Sequence, residues 1–427
     1  MPSRGRAPGP RSLVRRQSAL LAAAGVVLVI LLLTLWPLPE QSYEASLSPV
    51  SCLVCGDQGL QDVIQNVLML LPLGLFLGLA GFGPGRAALL GFLLSLTVEV
   101  LQYFVVTGRD AAISDVITNT TGAALGAAFA PHLGSVVRPG RLLAGRLAIA
   151  AVLLFAAVWS FGAWALEGST GAGNWRGRFP GDLPDAPALS GEAVRASIND
   201  VPLALAPASL PGWVERAFAR DSFTLRVEVR PGAPIAWREN VITIIDMRQD
   251  SLPINHLVMT LNRVRPRALL TFRINAARAR LRTPSFDLGR VFDVPPGTTV
   301  SLAVTRRRGA LHAVADRGGL AMTTDYRIGP ELLWSVLAPR TPNPGMAWVV
   351  ETFLWGAAVL LVAGYWSGRA ASRTNPLLVG AIAAAVQVLV PRFFNVAGQT
   401  LLGWTMLLGG LFLGVLIGRG SPQLPTD

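Results

Sequence analysis

Glu99-Val-Leu-Gln102-Tyr-Phe-Val-Val-Thr-Gly-Arg109-Asp110-Ala-Ala-Ile-Ser-Asp115-Val-Ile-Thr-Asn119-Thr-Thr-Gly122-Ala-Ala-Leu-Gly126 sets charged and amide side chains into an otherwise apolar chain. On either side of Arg109 the spacing is helical. Glu99 and Gln102 are three apart and Asp115 and Asn119 four apart, so each pair shares a helix face. The flanking runs Arg86–Val106 and Ile113–Ala130 are long and apolar enough to span a bilayer, which takes roughly 17–25 residues. A charge at the centre of such a helix costs roughly 2.5–3.5 kcal/mol, so these side chains need polar company.

Working outward, six further apolar runs meet the same length: Ser18–Pro37, Val63–Phe82, Leu147–Leu166, Met346–Trp366, Pro376–Val390 (the shortest) and Gln399–Gly418. The whole chain of 427 residues is 52% hydrophobic and only 15% charged, which excludes a disordered protein and argues against a soluble enzyme. All 37 basic residues are arginine. Their net excess of +12 follows membrane topology and gives no reason to invoke nucleic acid. Arginines crowd the N-terminus and alternate loops, whereas the loop after the first span holds Glu40, Glu44, Asp57 and Asp62 and no arginine. The positive-inside rule then puts both termini in the cytoplasm and residues 168–345 outside.

That exterior segment changes texture. Phe223, Leu225, Val227 and Val229 alternate with polar residues, and strand-like runs recur at Val241–Met247, His256–Asn262, Ala268–Ile274, Thr299–Thr305 and Leu311–Ala315. Its 23 arginines against 15 acids suit a solvated face, anionic lipid heads or acidic glycans. The expected fold is a polytopic α-helical membrane protein of about eight transmembrane helices with an inserted all-β sandwich, jelly-roll-like and extracytoplasmic. The divisions are a basic cytoplasmic N-terminus (1–17), five spans (18–166), the sandwich (168–345), three spans (346–418) and a cytoplasmic tail (419–427).

Depth arithmetic gathers a site. With this topology Asn66, Glu99, Gln102, Asp115 and Asn119 lie within about two helical turns of the outer surface, at 1.5 Å per residue. Arg109 and Asp110 cap them from the connecting loop. The set predicts a cavity for a polar head group or cation, with Arg109 holding a phosphate or carboxylate. The bland alternative is helix glue, in which Glu99 and Asp115 pair with Arg109 only to satisfy buried charge. Cys52 and Cys55, in the outer loop, read as a disulfide or redox pair, with two reduced, packed cysteines as the alternative. No metal site is expected from the scattered His132, His256 and His312, and no cofactor, although the carboxylates can take a divalent cation.

Asn66-Val-Leu-Met-Leu-Leu-Pro72-Leu-Gly74, Glu99-x-x-Gln102 and Arg109-x5-Asp115-x3-Asn119-x2-Gly122 resemble the VanZ-like family across Asp62–Ala130. That family takes its name from a teicoplanin-resistance protein. The resemblance therefore implies a bacterial cell-envelope membrane protein with a link to antibiotic resistance, and no particular reaction. The run from Thr299 to Gly318 is similar to the late hairpin of concanavalin-like (LamG-like) jelly rolls. The last three spans read as a worn copy of spans two to four: Val386-Gln387-Val388-Leu389 echoes Val98-Glu99-Val100-Leu101, and Gly410–Gly414 echoes Gly122–Gly126.

Three functions fit these residues. One is a module in the bacterial inner membrane that handles a lipid-linked or envelope precursor, or a glycan. Another is an enzyme on the same substrate class, with Glu99 or Asp115 as acid or base. The third is a structural anchor for the sandwich.

Overall fold

The computed structural model describes residues 10–36, 59–106, 111–169, 175–178, 191–203, 208–210, 213, 222–231, 242–249, 257–264, 266–295, 297–337, 346–372 and 375–421. The chain divides into two compact units, 1–139 and 140–427.

The first unit is helical: α1 (Pro10–Thr34), α2 (Gly59–Leu79), α3 (Pro84–Phe104), α4 (Ile113–Phe129) and the short α5 (Leu133–Val137). Gly83 as N-cap and Pro84 behind it start α3, since proline has no N–H to leave unpaired in a first turn. Ala23 and Ile30 of α1 pack with Leu70, Leu73 and Leu77 of α2, Ala87 of α3, and Ala123 and Ala127 of α4. α2 and α4 touch backbone to backbone. A Cβ on Gly122 would strike the Val67 carbonyl and one on Gly126 the Leu71 carbonyl; Gly74 and Gly78 meet Ala123 and Ala127 in the same way. Small residues permit such an approach, and packing then supplies the association.

The second unit opens with α6 (Arg141–Leu166) and passes into strands, twelve of them among the described residues. These are β1 (Trp175–Arg178), β2 (Gly191–Ile198), β3 (Val201–Pro202), β4 (Ala208–Leu210), β5 (Ser222–Pro231), β6 (Ile242–Gln249), β7 (Leu257–Val264), β8 (Arg267–Phe272), β9 (Ser285–Asp287), β10 (Val300–Arg307), β11 (Ala310–Arg317) and β12 (Ala321–Arg327). They form two six-stranded antiparallel sheets, β4-β1-β6-β7-β8-β9 and β12-β11-β10-β5-β2-β3. The alternation read in β5 is real: Phe223, Leu225, Val227 and Val229 are buried. Rings bridge the sheets, Phe223 to Phe272 at 6.2 Å and Phe286 to Tyr326 at 5.3 Å, so the two pack face to face. Arg308 and Gly309, both at positive φ, turn the β10–β11 hairpin, as a two-residue turn of that hand requires. Two short helices, α7 (Asn275–Arg278) and α8 (Leu333–Leu337), flank the sheets.

The chain then returns through α9 (Met346–Arg369), α10 (Asn375–Phe393) and α11 (Leu401–Gly420). α6 packs on α9 and α10 around Phe155, Trp159, Phe353, Leu360, Ala383 and Leu407. α9 and α11 close on glycine, with Gly410 on the Ala357 carbonyl, Gly414 on Leu361, and Gly364 and Gly368 on Leu411 and Val415.

The sandwich is seated on this bundle. Arg306, 2% exposed, lies with its guanidinium 4.3 Å from the Phe272 ring centre and donates to Leu166 O at the end of α6. Asn275 N donates to Glu167 O at 3.0 Å. Ala397 N, in the α10–α11 connection, donates to Ile328 O at 2.8 Å, and Arg327 Nη2 to Gly398 O at 2.8 Å. Trp334 of α8 meets Trp355 of α9 edge-on.

Among the described residues six helices are long and apolar enough to cross a membrane: α1 (from Val14), α2, α3, α6, α10 and α11. These make a multi-pass membrane protein with a β domain. The expected eight spans also counted α4 and α9, which stand outside those six. α4 has only 17 residues, and its first turns carry Ser114, Asp115, Thr118 and Asn119. The seventh run, read as the shortest, belongs to a helix of 19 residues.

Candidate functional site

The first unit gathers its polar side chains where α3 ends and α4 begins. α4 starts at Ile113, with Ala112 as an extended N-cap residue lacking a side-chain cap. The first N–H groups of a helix lack intrahelical partners and carry partial positive charge, so negative groups are favoured there. Two acids occupy the place. Glu99 Oε2, from α3, accepts from Ala112 N at 2.8 Å, and Asp115 lies in the first turn of α4, accepting from Ser114 Oγ at 3.3 Å. The two carboxylates are close enough to repel one another. Among the described residues no arginine forms an ion pair with either. Glu99 is 8% exposed.

Amides surround the acids. Asn66 of α2 turns its side-chain amide to the Asp115 carboxylate. One turn deeper, Asn119 Nδ2 donates to Ser95 Oγ at 2.9 Å, while the buried Oδ1 of Asn119 closes none. A buried polar atom without a partner costs about 1–3 kcal/mol, so the Asn119 oxygen is an acceptor open to a further donor near the two carboxylates.

Gln102 turns elsewhere. Its Nε2 donates at 2.9 Å to Thr34 O, one of the unpaired carbonyls at the end of α1. It ties α1 to α3 through that bond. The structure thus brings Asn66, Glu99 and Asp115 together, places Asn119 on Ser95 below them, and gives Gln102 to α1. Arg109, Asp110, Cys52 and Cys55 lie outside the described residues. Sequence reasoning passed over Ser95, although it sits four residues before Glu99 on the same face of α3. It also passed over Thr34, because a backbone carbonyl leaves no mark in a sequence.

Among the described residues no group of three or more His, Cys, Asp or Glu side chains stands close enough to hold a metal ion. The arrangement can accept hydrogen bonds from cations, amines or hydroxyls through the acids, and one more through the Asn119 oxygen.

The family model of VanZ/LLP1 matches residues 19–134. This segment is VanZ-like, and it takes in α1 as well as the three helices from which the resemblance was read. Neither the curated proteins nor the solved structures contain a match to the chain.

Proposed function

We propose that the VanZ-like unit of this envelope protein binds a polar head group, lipid-linked or free, at the outer leaflet of the bacterial inner membrane. In this reading both termini are cytoplasmic, eight helices cross, and the jelly-roll-like sandwich stands outside to meet glycan or other envelope material. One observation supports the proposal: a buried carboxylate, Glu99, and a half-buried one, Asp115, from different helices lie together beside Asn66 and an unpartnered oxygen of Asn119, with no arginine paired to either acid among the described residues. A hydroxyl- or amine-bearing head group suits the acids, and Arg109, next in sequence to the cluster, suits a phosphate on the same molecule.

The test is native mass spectrometry of the full chain released from its own membrane. Wild type should carry a lipid adduct that Glu99→Gln and Asp115→Asn lose while remaining folded. Equal adducts in all three proteins would sink the reading. Turnover of the bound lipid by wild type, abolished in Glu99→Gln or Asp115→Asn, would turn the binder into an enzyme using that residue as acid or base. A protein that neither binds nor turns over lipid would be an anchor for the sandwich.

A further inference from the structure

We propose that α6 with α9–α11 is a second copy of the α1–α4 unit, that apolar side chains have closed its polar site, and that the mouth of that site has become the seat of the sandwich.

The register comes from four pairs of glycines. Gly74 and Gly78 on α2 approach the backbone at Ala123 and Ala127; Gly364 and Gly368 on α9 approach it at Leu411 and Val415. In return Gly122 and Gly126 approach Val67 and Leu71, as Gly410 and Gly414 approach Ala357 and Leu361. One alignment of α2 with α9 and of α4 with α11 reproduces all four contacts, partner for partner. The middle helices agree independently. α3 buries Gly91, Ser95 and Glu99, and α10 buries Val379, Ala383 and Gln387 at the same steps of four. Chain order agrees too. Residues 37–58 join α1 to α2, and the sandwich occupies the corresponding place between α6 and α9.

Carried along this register, the polar residues meet their replacements. Asn66 falls on Gly356, Asp115 on Gly403, Asn119 on Leu407 and Ser95 on Ala383. Glu99 falls on Gln387, whose amide turns back to Ala383 O at 3.2 Å. Leu407 is fully buried and occupies the space that a Cβ on Gly356 would need; the Gln399 amide oxygen and the Phe353 ring do the same above Gly403. Where the first unit has two carboxylates the second has none, and Phe353 and Leu407 fill the space beside the amides of Gln387 and Gln399. At the mouth, Ala112 N serves Glu99 in the first unit. In the second, the connection before α11 serves the sandwich through Ala397 N and Gly398 O.

The same backbone packing therefore forms without the acids, so helix association does not require them. That the first copy is the working one rests on the head-group reading; the duplication does not.

The register predicts a coupling that can be measured. Leu407 is accommodated because Gly356 leaves it room, so Asn119→Leu should clash with Asn66 and the pair Asn66→Gly/Asn119→Leu should relieve it. In the full-length protein, Asn119→Leu should lower the thermal midpoint, and adding Asn66→Gly should recover at least half of that loss. Glycine in a helix interior is ordinarily destabilising, which makes recovery diagnostic. A single variant with no loss, additive losses, or failure of both variants to fold would overturn the duplication. Lipid adducts recorded on the same samples address the head-group reading separately. An adduct retained by a folded double variant would count against that reading and leave the duplication standing.

Discussion

The α1–α4 unit and the bundle of α6 with α9–α11 bring paired helices to the same glycine contact, then fill the adjoining space in opposite ways. The first keeps two acids, Glu99 and Asp115, with Asn66 and Asn119; the second has no acid at the matching positions and packs fully buried Phe353 and Leu407 beside the amides of Gln387 and Gln399. The difference separates what holds these helices together from what they contain. Backbone proximity at small residues is sufficient for the first task, so the acids are not needed to hold the helices together.

Truncation should show the contrast most strongly. Phe353→Ala removes a buried ring and should cost about 3–5 kcal/mol, the usual range for such cavities, read as a large fall in thermal midpoint in detergent. Asn119→Ala should cost far less, because it also removes an unsatisfied oxygen. Equal losses would erase the distinction.

Next in size is a group belonging to the second bundle alone. Glu331, in the turn before α8, is 2% exposed, with its own backbone N–H turned to its carboxylate. Burial raises its pKa to about 7 from 4.5, against the lowering charge of Arg327. A carboxyl raised in this way favours the folded state fully below its unfolded pKa. That contribution, on the order of 3 kcal/mol, is lost as pH climbs from about 4.5 through 7. Stability should therefore fall across this window and flatten above it, and Glu331→Gln should abolish the slope. An unchanged slope in the variant would place the titration elsewhere.

Gly122→Ala and Gly410→Ala should cost alike, about 1–3 kcal/mol each, because both new methyls meet a backbone carbonyl on the facing helix. Unequal costs would mean that the two seams differ. The smallest effect is Gln102→Leu, which forfeits the bond to Thr34 O and should lower stability by about 1 kcal/mol while leaving lipid adducts unchanged.

The sequence exposed the helices because membrane-length apolar runs have few other uses, but an apolar run does not mark where its helix ends. α1 begins at Pro10, not Ser18, and α6 at Arg141, not Leu147. Arginine, glutamine and leucine are good helix formers, so the helix outlasts its hydropathy. β5, β10 and β11 were legible from alternation. β12 was not, because Ala321–Arg327 alternates only between exposed and half-buried positions at a sheet edge. At the site, carboxylates in an apolar helix advertise themselves. The destination of Gln102 did not, since it depends on where α1 ends in space.

The seating of the sandwich has a mechanical consequence. A body joined to a support by an incoming and an outgoing chain can still swing about the line through those two points. Here α6 leads in and α9 leads out, and Ala397 with Gly398 adds a third attachment away from both chain connections. The bonds to Ala397 and Gly398 resist that swing, so a lateral pull on the sandwich loads the α10–α11 connection as well as the two chain connections.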